Sequence, residues 1–279
     1  MGSWFVKYFS SKNASVSAYD RNKSSLNLSD ASVRIVDELA ECVADADLVL
    51  VCVPVKLTPK LIAECSALMK SGATLGEISS VKHKTFSALA RIRNDLVALC
   101  IHPMFGPGAT DKNELRVLLV PVKNERIELL KAQDLFPGTK LLVMPSPREH
   151  DDSIGMVLGL TYFTNLAFAD FLSSRSNKLR KEISGTTFRL QSMLAESIMT
   201  DDPELISVLI KENPHARKHI RQFLKKALEI EKLVLASPTG RLEARIDRLR
   251  SRMQRQHDLQ QSYNGVYRAI RAIDSQKEK

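Results

Sequence analysis

Cysteine is scarce: Cys42, Cys52, Cys65 and Cys100 stand alone, with no Cys-x-x-Cys pair among them. Three of the four lie in apolar runs. That placement favours buried free thiols over a disulfide framework or zinc ligands, and no metal site is expected. Long apolar runs are lacking as well. Nothing approaches the roughly 18 consecutive apolar residues that read as a membrane span. The opening run is cut by Lys7 and Tyr8 before it reaches the length of a signal segment. A cytoplasmic location is expected, with no membrane partner. An acidic excess is also missing: 41 Lys and Arg against 32 Asp and Glu give a net charge of +9. From Gly240 to Lys279, ten basic residues stand against five acidic ones. They alternate with apolar residues at helical spacing and come with no aromatic platform. A solvated helix face therefore suits them better than a nucleic-acid surface.

A fragment of a motif is missing too. Met1 to Phe9 reads as an apolar-periodic helix, and Ser15 to Asp20 as a strand that ends in an acid. In a Rossmann unit the order is strand, Gly-x-Gly-x-x-Gly, helix, strand, acid. Gly2 fits the last glycine and Asp20 the acid that accepts from the ribose hydroxyls. Arg21, beside it, tempers the preference for NAD over NADP. The first strand and the first two glycines do not appear, which reads as a truncation. Without that strand the neighbouring strands must pair with each other, stay open, or receive another strand.

What is present is an alternation of apolar strands and helices. Leu48 to Val53 is a near-continuous apolar run stopped by Pro54, as a strand covered on both faces requires. A helix from Thr58 to Lys70 follows. Two further strands, around Ala73 to Ile78 and Leu96 to Ile101, end in polar motifs: Glu77-Ile78-Ser79-Ser80-Val81-Lys82, and His102-Pro103-Met104-Phe105-Gly106-Pro107. A helix from about His83 to Arg93 separates them, and Arg116 to Val122 and Lys140 to Met144 are further strands. Ligands in open α/β sheets bind at the carboxyl ends of strands, where Ser80 and His102 would both stand. A Ser and a His on one rim form a general-base pair; the plainer alternatives are a helix N-cap for Ser80 and a turn residue for His102. The pattern predicts a parallel, Rossmann-like α/β domain over 1–147, lacking its first strand, and an all-α domain over 148–279. In the second, helices are expected at Asp151–Ser173, Thr187–Met199, Pro203–Lys211, Pro214–Ala236 and Arg241–Ile273. The last carries an apolar stripe from Leu242 to Ile270, which either packs on its own domain or forms a dimer face.

The two motifs, with Arg148-Glu149-His150-Asp151, Gly159-Leu160-Thr161-Tyr162-Phe163 and Ser184-Gly185-Thr186-Thr187-Phe188-Arg189-Leu190, resemble the prephenate dehydrogenase family over nearly the whole chain. The resemblance implies NAD-dependent oxidative decarboxylation of prephenate to 4-hydroxyphenylpyruvate in tyrosine biosynthesis, by a homodimer. It implies His102 as the catalytic base and Ser80 as the residue orienting it. Val53, Pro54 and Val55 would lie by the nicotinamide ribose, with Gly2, Asp20 and Arg21 on the rest of the cofactor. Tyr162, Arg189, Lys82 and Ser197 are the candidate substrate contacts. Lys82 would either steer a carboxylate or be a solvated surface lysine. Tyr162 stands where the family has a His, and Ser197 where it has an Arg that grips a substrate carboxylate. His150 and Asp151 match a family pair; their plainer reading is a helix start. The departures leave open an arogenate dehydrogenase and a non-catalytic binding or regulatory homologue.

Overall fold

The apolar runs of the first half do become strands. The computed structural model describes residues 1–22, 33–109, 115–174, 182–236 and 240–275. It divides into two units, Met1–Ile154 and Gly155–Lys279. The first unit therefore runs past the expected boundary at Pro147 and takes in His150 and Asp151. It contains two sheets. β1 (Val16–Ala18) and β2 (Val33–Ile35) form a parallel pair. β3 (Leu48–Val51), β4 (Thr74–Glu77), β5 (Val97–Pro103), β6 (Arg116–Leu119) and β7 (Lys140–Val143) form a second sheet in that order. Among the described residues β1 pairs only with β2, and the larger sheet ends at β3. The two strands that would flank a first Rossmann strand thus stay apart, as expected for a sheet lacking it.

One pairing corrects the all-parallel expectation. β5 and β6 run antiparallel, with His102 opposite Leu118, while the other pairs of the larger sheet are parallel. The cause is the connection. The described residues between Pro103 and Arg116 contain no helix, and a connection this short favours doubling back over a crossover. From β6 to β7 a helix, α5 below, restores the crossover.

Helices α1 (Gly2–Ser10), α2 (Leu39–Val43), α3 (Thr58–Leu68), α4 (His83–Leu89) and α5 (Glu125–Leu135) cover the sheet. Successive residues of β5 serve opposite faces. Ala98 and Cys100 join Ile62, Leu75 and Leu89 on one side. Leu99 and Ile101 join Phe5, Val117, Leu119 and Phe136 on the other. Both faces being covered, no polar alternation survives in the strand. Each fully buried Leu or Ile here contributes about 1.5–3 kcal/mol. Glu128 shows how the polar exceptions are handled: buried, its carboxylate accepts from the amides of Val122, Lys123 and Asn124 and fastens the turn that leads into α5.

The chain then enters α6 (Pro147–Ile154), a π-helical segment (Gly155–Leu160) and α7 (Thr161–Ser173). Pro147–Ser173 is, among the described residues, the helix long and apolar enough to cross a membrane by length and composition. It nevertheless buries polar side chains, His150, Asp151 and Asn165, and the amide of Asn165 is bonded to Thr161 and Gln191. The rest of the second unit comprises α8 (Thr186–Ser197), α9 (Pro203–Ser207), α10 (Pro214–Leu235), α11 (Gly240–Gln254) and α12 (Leu259–Ser275). Gly155 and Gly159 let the π segment approach α10 closely: a Cβ on either would lie 2.7 Å from the Ala216 amide or 2.5 Å from the Ala216 Cβ. No larger residue fits. The expected single helix over 241–273 is instead broken between Gln254 and Leu259. Asp258 starts the second piece, accepting the Gln261 amide at 2.9 Å, at the point where the apolar stripe gives way to Gln256 and Gln260. The last basic residues of the tail, in 276–279, lie outside the described residues.

Candidate active site at the end of the central strands

β4 and β5 lie side by side at the middle of the larger sheet, and their carboxyl ends bring a polar cluster into the interior of the first unit. It begins with Glu77, the last residue of β4 and fully buried. Its Oε2 accepts the Ser79 amide at 2.8 Å, and its Oε1 accepts the Lys82 ammonium at 2.6 Å and the Cys100 thiol at 3.1 Å. The Lys82 Nζ also donates to the Ile101 carbonyl. Burial, chiefly, pushes the Cys100 thiol well above its usual range, so it stays protonated and donates. The cluster ties the turn after β4 to the end of β5.

This corrects the reading of Lys82. It is neither a solvated surface residue nor an available substrate contact, because it is fully buried and its ammonium is held by Glu77 and Ile101. An ion pair removed from water persists only where such partners offset desolvation. Glu77 lies only one turn earlier in sequence, and an acid and a base flanking a turn between apolar strands is the signal that could have shown the pairing.

His102 follows within β5, buried, with its backbone paired to β6. Its Nδ1 lies 3.0 Å from His150 Nε2, and His150 Nδ1 lies 2.8 Å from Asp151 Oδ1. The residue bonded to His102 is therefore His150, not Ser80. Ser80 sits half-buried in the turn beyond β4. It is not the cap of α4 either, since Lys82 holds that position. Burial, then the neighbouring His150 and Lys82, lower the His102 pKa well below the ordinary histidine value. Burial lowers that of His150 too, against the opposing pull of Asp151. Burial alone would raise the Asp151 pKa, but the hydrogen bond from His150 and the amides of Lys82 and His83 outweigh it and keep it an anion. Those amides lie 2.8 and 3.1 Å from the carboxylate. Asp151 thus caps α4, and the expectation that it serves the start of its own helix is corrected. The pattern that could have exposed the pair is helical: His150, Asp151 and Ile154 are buried on one face.

The proposed cofactor residues stand at the amino-terminal part of the same unit. Gly2 opens α1, which has no side-chain cap at its start. A Cβ at Gly2 would meet only the Cys52 Cβ at 3.5 Å, an ordinary contact, so packing alone does not demand glycine there. Asp20 follows β1, its Oδ1 accepting the Asn22 amide at 2.8 Å, with Arg21 exposed beside it. Val53, Pro54 and Val55 follow β3, where the Pro54 carbonyl accepts from Leu57 and Thr58.

The remaining candidates belong to the second unit. Tyr162 donates to Asp201 Oδ2 at 2.7 Å, and burial with that bond pushes its pKa far up, so it remains a donor. Arg189 is paired with Asp274. Ser197, exposed, turns its hydroxyl back onto the Leu194 carbonyl at 2.9 Å. Each is thus engaged by a partner of the same unit.

Residues 9–131 match the family model described as prephenate dehydrogenase, nucleotide-binding domain, and residues 146–255 that described as prephenate dehydrogenase, dimerization domain. A probable arogenate/prephenate dehydrogenase of Methanocaldococcus jannaschii is 25% identical over 247 residues, 84% of this chain and 54% of that protein. The T-protein of Enterobacter agglomerans is 25% identical over 206 residues, 71% of this chain and 54% of that protein. The chain spans about half the length of these curated relatives. Among solved structures, prephenate dehydrogenase from Aquifex aeolicus in complex with hydroxyphenyl propionate and NAD+ superposes with a TM-score of 0.71 at 20% identity, over 92% of this chain and 95% of that one. Synechocystis arogenate dehydrogenase gives 0.66 at 16% identity, over 92% and 96%. At such identities the likeness speaks for the fold.

Proposed function

Since the chain belongs to the prephenate dehydrogenase family, we propose that it oxidatively decarboxylates prephenate to 4-hydroxyphenylpyruvate with NAD, as a homodimer in the cytoplasm. The observation that carries the reading is His102: a buried histidine, held neutral, at the carboxyl end of a central strand. A general base must be unprotonated at the working pH, and burial achieves this here.

The residues present fit a nicotinamide dinucleotide. The uncapped start of α1 offers amide donors to a pyrophosphate. Asp20 at the end of β1 suits the ribose hydroxyls and disfavours a 2′-phosphate. Val53 to Val55 would flank the nicotinamide end. When bound, the cofactor supplies a hydride acceptor. His102 would take the proton of the substrate hydroxyl as the hydride departs and return it to the same oxygen once carbon dioxide has left and the ring has become aromatic. Ser80, in the neighbouring turn, would hold the same hydroxyl.

A second reading, arogenate as substrate, is favoured by Ser197. A hydroxyl bonded to its own helix cannot grip a carboxylate in two places as Arg does. Losing such a pair costs about 2–5 kcal/mol, less where the substrate carries an ammonium group. Following NADH formation with each substrate decides. Faster turnover of prephenate supports the first reading and faster turnover of arogenate the second. No NADH with either overturns both and leaves a binding or regulatory homologue.

A further inference from the structure

The His102–His150–Asp151 row has a direction that follows from the chemistry of its atoms. Asp151 is a carboxylate and can only accept. At Oδ1 it takes the Lys82 amide and faces His150 Nδ1, and at Oδ2 it takes the His83 amide. His150 Nδ1 must therefore carry a hydrogen. His150 is neutral, so its Nε2 carries a lone pair. His102 Nδ1, 3.0 Å away, must then be the donor. A neutral His102 with its hydrogen on Nδ1 has its lone pair on Nε2.

We propose that His150 and Asp151 are positioning residues that lock His102 in the Nδ1–H form, making Nε2 the nitrogen that removes the substrate proton. The chemistry rests on the dehydrogenase reading above; the tautomer does not. In the reaction the substrate O–H bond breaks and an Nε2–H bond forms on His102, while the hydride passes to the nicotinamide dinucleotide; after carbon dioxide leaves, the same proton returns to the oxygen. The new imidazolium keeps its Nδ1–H on His150, whose own Nδ1–H faces the Asp151 anion. The positive charge is thus drawn towards a carboxylate that never touches substrate. The His83 ring faces the far end of the row, its Nδ1 3.5 Å from Asp151 Oδ2; the groups facing its middle are Lys82, which opposes the added charge, and Glu77, which balances it. Their mutual ion pair leaves Asp151 as the charge that decides.

The test is side-chain nitrogen NMR of the full chain at neutral pH, where protonated and bare ring nitrogens are well separated. The expected spectrum has hydrogen on Nδ1 of both His102 and His150, with a coupling between His102 Nδ1 and His150 Nε2. Hydrogen on His102 Nε2 overturns the proposal. His150→Phe removes the acceptor, so His102 should shift towards the Nε2–H form that free imidazole prefers. Its kcat should fall by about 10²-fold or more, with KM changed by no more than about twofold. An unchanged His102 tautomer in that variant also overturns it. Should the variant not fold, the parent spectrum alone decides. A parent with the expected tautomers that turns over neither prephenate nor arogenate upholds the relay and refutes the dehydrogenase reading.

Discussion

The first unit holds two kinds of sheet. β4 and β5 are each paired on both sides, every residue of β4 is buried, and the polar groups at their ends are bonded into one cluster. β1 and β2 are three residues each, pair only with one another among the described residues, and leave Arg34 and Ile35 exposed. The proposed proton chemistry sits on the first kind and the proposed ribose contact on the second. Rigid pairing is where a base can be held in one tautomer. A two-stranded sheet can still place an acid at a strand end, but it fixes that acid less firmly.

The comparison can be broken most forcefully at His102. His102→Asn keeps a hydrogen bond and removes the base, so turnover should drop about 10²–10⁴-fold with little change in NAD affinity. Parental turnover would mean that the ordered cluster is not the seat of the chemistry. Next is Lys82→Met, which strands a buried Glu77. Breaking such a pair costs about 3–5 kcal/mol, read in urea denaturation as a lower midpoint with an unchanged slope. Leu75→Ala, in fully buried β4, should cost about 2–5 kcal/mol in the same assay.

Acid gives a gentler test. His102 and His150 both have depressed pKa values in the fold, so below the ordinary histidine value near 6.5 the unfolded chain binds more protons than the folded one. Stability from this pair is complete above that pH and is lost as pH falls below it, which thermal melts from pH 8 to 5 would display. Turnover should stay level from pH 8 through 6.5 and decline only below, because His102 remains neutral there. This replaces the rise through 6.5 that an unperturbed histidine would give. The smallest effect is expected at Ile35, 46% exposed on β2. Ile35→Ala should change stability by no more than about 0.5 kcal/mol, and a larger loss would show that the two-stranded sheet is better held than its pairing suggests.

How much of this was legible depended on the range of the interaction. The strands around Leu75 and Leu99 announced themselves because both faces are covered, and His102 because Pro103 and the Gly-Pro turn follow it. The direction of β6 is hidden, because the residues of a strand are the same whichever way it runs; only the shortness of the connection before it carries the information. Lys82 is deceptive in sequence, because a lysine beside a serine-rich turn looks solvated until Glu77 is seen across from it. His150 reads as part of a helix start because its partner lies 48 positions away. The break in the last helix was half visible, in a stripe that turned to glutamine before Asp258 restarted the helix.

The reach from Asp151 back to the start of α4 bears on how the protein is made. The amides of Lys82 and His83 are satisfied by a carboxylate 69 and 68 positions later. Chains emerge from the ribosome amino end first, at about 5–20 residues per second. For several seconds, then, the nascent β4, α4 and β5 are complete while the first turn of α4 has no carboxylate to close it. The turn that carries Ser80 would be finished only when α6 docks. The last step of assembling the first unit would therefore be the one that completes its candidate active site.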